Sequence, residues 1–204
     1  MAKRDYGREL FQLGVSCDDE VVRLGPDVRK QARRFAYQQR AEVLLFCEWI
    51  EKKEIRSYLE IGFYRGGLVS ALHALFAFDK VYGCDAGLIQ AERGLSVELP
   101  DDARICWAEA ESPRYKRYRH SLGKIDLVFI DADHSYGSVR ADYERERKQA
   151  HRFLAFHDIK NTRQAPGVVR LWNEIGGKKR ELYVPRTDGG DEMGIGIWSE
   201  KETP

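Results

Sequence analysis

Two groups of ionisable side chains follow strongly apolar stretches in the second half of this 204-residue chain. One stretch ends at Asp131, and His134 follows three residues later. The other stretch ends on the adjacent pair His157 and Asp158. Continuous apolar runs are typical of strands buried on both faces of a parallel sheet, whose carboxyl ends border the ligand crevice. We therefore expect these four side chains, together with Asp133, to meet at one edge of a sheet.

Carboxylates and imidazoles placed together could bind a divalent metal and move a proton. Oxygen ligands suit Mg²⁺, Mn²⁺ or Ca²⁺, whereas a mixed histidine and carboxylate set admits Mn²⁺, Fe²⁺ or Zn²⁺. A bound cation would lower the pKa of a coordinated hydroxyl, and His134 has the near-neutral pKa suited to accepting its proton. A metal-free base in the same cluster is the alternative.

Structural roles compete with this chemistry at each position. Asp131 could cap a helix, and His134 could be a surface histidine. His157 could be a hydrogen-bonded structural histidine, and the nearby Asp133 could replace Asp131, His134 or His157. A further requirement is geometric. Neighbouring strand residues point to opposite faces, so His157 and Asp158 can reach one metal only if the strand ends or twists there.

A second pattern, in the stretch 58–67, points to a nucleotide. Its sequence is Tyr-Leu-Glu-Ile-Gly-Phe-Tyr-Arg-Gly-Gly, and it joins a β-prone run to an apolar helical run. This order predicts the first strand–turn–helix unit of a nucleotide-binding sheet. A dinucleotide fingerprint needs its second glycine where Tyr64 stands, so a pyrophosphate ligand is disfavoured. Glu60 would repel phosphate and attract an ammonium group, and S-adenosylmethionine (SAM) has an ammonium and an adenosine but no phosphate.

An acid at the end of the next predicted strand, Asp85, extends the nucleotide pattern. It lies 19 residues beyond Gly66, close to the roughly 20 expected for a carboxylate that accepts hydrogen bonds from ribose hydroxyls. A helix cap is the alternative role for Asp85.

The motif at 60–67 resembles the first motif of class I SAM-dependent methyltransferases. It is most similar to the metal-dependent small-molecule O-methyltransferases, the group of the macrolide-sugar and cephalosporin-pathway enzymes. The likeness extends over residues 40–198 and includes Gly-Val-Val-Arg-Leu-Trp at 167–172. Together with the strand-end acids, it implies SAM contacts from the glycine loop and an adenine-edge acid: Glu60, Gly62, Tyr64, Gly66, Asp85, Glu109 and Asp131.

The resemblance also implies roles in the ionisable cluster. Asp-x-x-His after the fourth strand is similar to the macrolide-sugar enzymes, which implies Asp131 as metal ligand and His134 as catalytic base. The family's second ligand pair is acidic and adjacent, and it falls here on His157 and Asp158. We therefore expect Mg²⁺ or Mn²⁺ on Asp131, His157 and Asp158, with His157 departing from the acidic pattern.

These patterns predict an α/β fold with a Rossmann-like, doubly wound, mostly parallel seven-stranded sheet, an antiparallel last strand and an N-terminal helical extension. Residues 1–53 form the predicted extension and candidate lid, and residues 54–204 the SAM-binding domain. Within the extension, Asp27 is expected to cap a long helix over 28–53. Strands are predicted at 56–61, 80–85, 103–107, 124–131, 152–158, 180–184 and 193–198.

Composition narrows the class of partner. The 34 basic and 33 acidic side chains leave a net charge of +1, so the overall charge does not indicate nucleic acid as a binding partner. The basic and aromatic segment 114–120 could bind nucleic acid, but a solvated helix face is favoured. The four cysteines form no Cys-x-x-Cys pair, and no apolar run reaches the roughly 20 residues that span a bilayer, so a cytoplasmic protein is expected.

The leading functional hypothesis is a SAM-dependent methyltransferase that uses a divalent metal to methylate a hydroxyl of a small metabolite. A metal-independent SAM methyltransferase with a histidine and aspartate base is the first alternative. An NAD-dependent oxidoreductase and a non-catalytic module that binds nucleic acid or protein are further alternatives, because this type of sheet hosts many activities. The sequence leaves open the acceptor, the pathway and whether the chain forms a homo-oligomer.

Overall fold

The computed structural model shows a seven-stranded mixed sheet between layers of helices. It describes residues 4–19, 34–93, 96–149, 151–186 and 192–204. The strands are β1 (Val15–Cys17), β2 (Arg34–Ala36), β3 (Ser57–Ile61), β4 (Lys80–Asp85), β5 (Arg104–Trp107), β6 (Ile125–Ile130), β7 (His151–Phe156), β8 (Lys178–Leu182) and β9 (Ile195–Ser199). The helices are α1 (Tyr6–Gln12), α2 (Arg40–Lys53), α3 (Gly67–Phe76), α4 (Leu88–Arg93), α5 (Pro113–Ser121), α6 (Tyr136–Glu146) and α7 (Pro166–Glu174).

The strand order of the large sheet is β5-β4-β3-β6-β7-β9-β8. Strands β5, β4, β3, β6 and β7 run parallel, and β9 is antiparallel to both of its neighbours. The predicted fold class is therefore confirmed, and each of the seven predicted strands occurs within two residues of its predicted bounds. The order reverses between β3 and β6, and in such sheets the crevice beyond these strand ends is where ligands bind.

The central strands are continuous apolar runs because both of their faces are buried. All five residues of β3 are buried, as are the last four of β6 and of β7. Helices cover both faces of these strands, so there is no solvent face that would require polar alternation. The first polar residues after each strand consequently stand at the sheet edge, where the chain leaves the core.

The predicted helix over 28–53 is wrong at residues 34–39. Residues 34–36 form β2, which pairs in parallel with β1, and α2 begins only at Arg40. Asp27 and residues 28–33 lie outside the described residues. The apolar pair Phe35 and Ala36 fits a helical stripe and a buried strand equally well, and tertiary contact selects the strand. The Phe35 carbonyl oxygen lies 2.1 Å from where a Cβ on Gly67 would be, so this backbone packs directly on the start of α3.

Helix α2 is packed tightly against the sheet. Phe46 and Phe129 have ring centroids 5.5 Å apart, and Trp49 meets Phe153 edge-on at 5.0 Å. The helix ends at Glu54, which adopts a left-handed conformation with φ of 49°. This packing brings the first turn of α2 to the carboxyl ends of β6 and β7. Helix α2 therefore covers the sheet through its apolar side chains.

The basic segment 114–120 lies largely on α5, and part of it is structural. Tyr115 and Arg119 are buried. Arg119 Nε donates to Glu146 Oε2 at 2.7 Å, and the Tyr115 hydroxyl donates to Glu146 Oε1 at 3.0 Å. These two side chains are therefore not available to stack on or pair with a nucleic acid. Among the described residues, no helix combines the length and the apolar character needed to cross a membrane.

Candidate active site

A cavity of about 520 Å³ lies beyond the carboxyl ends of β3, β4, β5 and β6. Five of the seven predicted cofactor residues line it: Gly62, Tyr64, Asp85, Glu109 and Asp131. Small side chains that follow β5 form another part of its wall, together with Asp142 from α6. The two remaining predicted residues, Glu60 and Gly66, do not line it. The cavity therefore occupies the place at which doubly wound sheets bind nucleotides.

Glycine is required where β3 ends. Gly62 has φ of +86°, and a Cβ there would lie 2.2 Å from the Asp131 carbonyl oxygen. Gly66, the N-cap of α3, has φ of +79°, and its Cβ would lie 2.4 Å from the Glu98 carbonyl oxygen. Both the backbone conformation and the space exclude larger residues. The loop can thus pass directly over the end of β6.

Asp85 is held by the backbone of two loops. Its Oδ2 accepts from the Tyr64 N–H at 2.8 Å, and its Oδ1 accepts from the Gly87 N–H at 2.7 Å. Tyr64 itself has φ of 51°, which aims its N–H at the carboxylate. Each carboxylate oxygen can accept a second hydrogen bond, so the group is presented to the cavity in a fixed orientation.

Glu60 is buried beneath the glycine loop. Its carboxylate accepts a hydrogen bond from the Tyr58 hydroxyl at 2.8 Å, and only 2% of the residue is exposed. Burial raises the pKa of Glu60 to about 8, and the charges of Asp131 and Asp85 add to the rise. Glu60 faces a narrow recess shared with Gln38 instead of the large cavity. Its contact with an ammonium group stays a prediction.

The ionisable side chains after β6 and β7 converge as expected. Asp131 Oδ1 lies 3.3 Å from His134 Nε2 and 3.4 Å from His157 Nδ1. Asp158 Oδ2 lies 3.5 Å from His134 Nε2 and 3.4 Å from His157 Nδ1. Within the described part of the chain, Asp131, His134 and Asp158 form a group whose ligand atoms lie within 4.8 Å of one another. The cluster can therefore hold one cation.

The backbone conformation at Asp158 allows the adjacent residues His157 and Asp158 to face one point. Strand β7 ends at Phe156, and Asp158 adopts a left-handed conformation with φ of 62°. The chain turns there, so His157 and Asp158 face the same point instead of opposite faces. Asn161 Nδ2 donates to Asp158 Oδ1 at 3.1 Å and orients the carboxylate. Strained conformations of non-glycine residues cluster at functional sites.

Asp133 has a different role from the other acids. Its Oδ1 accepts from the Ser135 N–H at 2.8 Å, and its Oδ2 accepts from the Ser138 hydroxyl at 2.9 Å. These bonds organise the start of α6 and leave Asp133 exposed. Asp133 nonetheless borders both the large cavity and a second, more open cavity of about 530 Å³. His134, Gln164 and Arg170 line that second cavity, which places it beside the cluster.

Two contributors to the cluster come from the N-terminal region and were not predicted. Gln38 Nε2 donates to Asp131 Oδ2 at 2.7 Å, across 93 positions of sequence. Glu42, on α2, has its Oε2 3.3 Å from His157 Nε2. Neither residue has a local signal in the sequence, since only the packing of α2 brings them to the sheet edge. The N-terminal region is thus part of the site.

The charges of the cluster stabilise one another. Burial alone would raise the pKa of Asp131, but the adjacent His157 and His134 outweigh it and hold this pKa well below its usual range. Burial opposes charge on His157, yet Asp158 and Asp131 raise its pKa well above the usual value. The pKa of His134 is also raised, chiefly by its hydrogen bond to Asp131. Protons on the imidazoles balance the carboxylates, so a metal ion would bind in competition with protons.

Substitution of Glu60 by Gln should reveal its raised pKa as a pH-dependent stability difference. A folded-state pKa of about 8 exceeds the ordinary 4.5, so the contribution of Glu60 to stability is full below pH 4.5 and is lost as the pH rises toward 8. Gln removes this loss. The stability of Glu60→Gln relative to wild type should therefore increase by more than about 1.4 kcal/mol between pH 5 and pH 8.

Chemical denaturation at the two pH values measures this difference. The same substitution at the exposed Glu48, on α2, provides the control for the loss of one surface carboxylate. A Glu60→Gln difference that stays constant with pH would show that Glu60 ionises normally in the folded protein.

No protein-family model matches this chain, and no curated protein matches its sequence. Its fold, in contrast, is similar to those of solved structures. An O-methyltransferase from Bacillus cereus in complex with SAH is 15% identical, with a TM-score of 0.57 over 98% of this chain and 93% of that one. Cofactor-bound Rv0187 from MTB is 16% identical, with a TM-score of 0.58 over 99% and 100%.

A third similar structure is the O-methyltransferase TomG from Streptomyces achromogenes, involved in tomaymycin synthesis and solved in complex with SAM. It is 14% identical, with a TM-score of 0.54 over 98% of this chain and 92% of that one. At these identities the likeness concerns architecture. This chain has the Rossmann-like fold of these O-methyltransferase structures.

Proposed function

We propose that this protein is a SAM-dependent methyltransferase that methylates a hydroxyl of a small metabolite with the help of a divalent metal. The observation that carries the proposal is the position of Asp131. This residue lines the nucleotide-sized cavity and also lies 3.3 Å from His134 in the ionisable cluster. A methyl donor in the cavity and an acceptor beside His134 would therefore be neighbours.

The cavity suits SAM better than a phosphate-bearing nucleotide. Asp85 and Glu109 line it, and carboxylates there favour ribose hydroxyls and disfavour phosphates. Tyr64 occupies the position at which a pyrophosphate would need glycine. The similar proteins from Bacillus cereus and Streptomyces achromogenes, which were solved with SAH and SAM, support the same choice of ligand.

The cluster also fits a divalent metal. His157 Nδ1 lies 3.4 Å from Asp131 Oδ1 and 3.4 Å from Asp158 Oδ2, although the three described residues whose ligand atoms all lie within 4.8 Å of one another are Asp131, His134 and Asp158. Glu42 Oε2 lies 3.3 Å from His157 Nε2, so a buried carboxylate stands behind the ring of this proposed ligand. We assign the metal to Asp131, His157 and Asp158, and Mg²⁺ and Mn²⁺ are the ions that the family resemblance suggests.

The residues of the chain divide the chemistry between them. When bound, SAM supplies the electrophilic methyl group and the metal supplies charge that lowers the pKa of the acceptor hydroxyl. His134 is the most exposed member of the cluster, with 34% of its side chain accessible, so it can reach an acceptor in the second cavity. Its Nε2 faces Asp131 and Asp158, so Nδ1 is the nitrogen that would take the hydroxyl proton, and the two carboxylates would stabilise the imidazolium that results.

A metal-independent mechanism is the second candidate. The raised pKa of His157 places a positive charge between Asp131 and Asp158, where a metal would otherwise sit. His134 would then act as base with Asp131 alone. Asp131→Asn separates the two mechanisms, because it should abolish stimulation by metal only under the first. Full activity in excess chelator would reject the metal and leave the methyltransferase assignment standing.

Replacing Asp85 by Asn should weaken SAM binding. Both carboxylate oxygens accept backbone N–H groups, so the amide of Asn would direct its own N–H₂ at one of these donors and lose orientation. The loss of a charge-assisted hydrogen bond to ribose costs about 1.5–3 kcal/mol, which corresponds to a roughly 10- to 150-fold weaker affinity. Calorimetric titration with SAM measures the change.

The exposed Asp101 provides a matched control, since Asp101→Asn should leave the SAM affinity unchanged. Equal affinity of Asp85→Asn and wild type would remove Asp85 from the cofactor site. Failure of the wild-type protein to bind SAM, with or without metal, would overturn the proposed function as a whole.

Replacing His134 by Gln should lower kcat by about 10²- to 10⁴-fold, the usual contribution of a general base. The SAM affinity should stay within a factor of about three of wild type, because His134 does not line the SAM cavity. Steady-state kinetics and calorimetry on the same preparation test both statements. If metal affinity falls together with kcat, His134 is a metal ligand in place of His157.

A further inference from the structure

We propose that Glu42 is a positioning residue that holds His157 as a nitrogen ligand and thereby selects a first-row transition-metal ion, such as Zn²⁺ or Co²⁺, over Mg²⁺. The inference rests on the metal site of the proposed function. It goes further by assigning a role to a helix outside the strand-end cluster and by specifying the class of ion.

Glu42 lies on one side of the His157 ring, and the carboxylates of the cluster lie on the other. Glu42 is completely buried, and its Oε2 lies 3.3 Å from His157 Nε2. His157 is 3% exposed, and its other nitrogen, Nδ1, lies 3.4 Å from Asp131 Oδ1 and 3.4 Å from Asp158 Oδ2. The imidazole thus stands between the carboxylate of α2 and the carboxylates of the cluster.

A buried carboxylate in this place calls for compensation. The Glu42 carboxylate is approached by the Gly194 backbone and by His157 Nε2, but among the described residues neither contact has the geometry of a normal hydrogen bond. An uncompensated buried charge is costly, so Glu42 would be a liability if it had no cationic or strongly polarised partner. The packing of Phe46 and Trp49 fixes α2, so Glu42 cannot swing to solvent to escape this cost.

A histidine that binds metal solves this problem. A carboxylate behind the ring accepts the Nε2–H, fixes the tautomer and turns the lone pair of Nδ1 toward the metal. The charge of the ion then reaches Glu42 through the polarised imidazole. Such partners behind a ligand raise its basicity, and their loss typically weakens metal binding by about 10- to 100-fold.

The donor atoms indicate the class of ion. His157 Nδ1 lies 3.4 Å from Asp131 Oδ1 and 3.4 Å from Asp158 Oδ2, so one nitrogen and two oxygen atoms are the candidate ligands. Imidazole nitrogen suits Zn²⁺ and its neighbours, whereas Mg²⁺ prefers an octahedron of oxygen atoms. Because His157 stands where the family resemblance implies a carboxylate, we expect the site to prefer Zn²⁺ and its neighbours to Mg²⁺.

The test uses Co²⁺ as a spectroscopic probe on the full-length protein freed of metal. Visible absorption during Co²⁺ titration reports affinity and coordination number, and competition with Zn²⁺ and Mg²⁺ reports selectivity. The variants are Glu42→Gln, which keeps the shape but removes the charge, and Glu42→Asp, which keeps the charge but withdraws it from the ring. Glu48→Gln makes the same change on the exposed face of α2 and serves as control.

Wild type and Glu48→Gln should bind Co²⁺ with the intense bands of a low-coordinate site, and Zn²⁺ but not Mg²⁺ should displace it. Glu42→Gln should bind Co²⁺ about 10- to 100-fold more weakly with an altered spectrum. Glu42→Asp should also bind more weakly. The metal-free Glu42→Gln protein should keep the circular dichroism spectrum of the folded wild type at the titration temperature, even if it melts lower; weaker Co²⁺ binding by this folded variant is then an effect of positioning.

Two results would overturn the proposal. Equal Co²⁺ affinity and an unchanged spectrum in both Glu42 variants would remove Glu42 from the site. Ready displacement of Co²⁺ by Mg²⁺, or no Co²⁺ binding by wild type, would reject the ion class. SAM titration of the same preparations distinguishes failure of this inference from failure of the proposed function. SAM binding without Co²⁺ binding would reject the role of Glu42 in metal binding and leave the methyltransferase assignment intact.

Discussion

The close backbone approach between the ends of β3 and β6 is the constraint on which the site depends. The Asp131 N–H donates to the Ile61 carbonyl at 2.9 Å, and Gly62 then passes so near that a Cβ would lie 2.2 Å from the Asp131 carbonyl oxygen. Because this contact occurs where the strand order reverses, it joins the nucleotide loop to the ionisable cluster. A larger residue at Gly62 would separate the cofactor cavity from the residues proposed to act on the acceptor.

Charge compensation in a buried setting is the second organising feature. Glu42, Asp131 and Asp158 carry acid groups into the protein, and His157 lies at ion-pair distance from all three. Such an arrangement is costly to build and strongly destabilised by the loss of one partner, so it is weak evidence for stability and stronger evidence for function. The same arrangement accepts either protons or a metal, which is why the metal-dependent and metal-independent mechanisms share their residues.

Much of this site could be predicted from the sequence because parallel strands end together. The apolar runs before Asp131 and His157 placed both at one edge, and the glycine loop placed Tyr64 and Asp85 at the cavity. The contacts of Gln38 and Glu42 could not be predicted, since they join distant parts of the chain and depend on how α2 packs against β6 and β7. The strand at 34–36 was missed for a related reason: its apolar pair fits two periodicities, and contact with the start of α3 decides between them.

A crystal structure with S-adenosylhomocysteine and Mn²⁺ would test the central claim most directly. We expect the nucleoside in the cavity between the ends of β3 and β6, with the ribose hydroxyls on Asp85 and the sulfur directed toward His134. Anomalous scattering should place the ion among Asp131, His157 and Asp158. A ligand bound elsewhere, or an empty cavity at saturating S-adenosylhomocysteine, would contradict the assignment of this edge of the sheet as a methyl-transfer site.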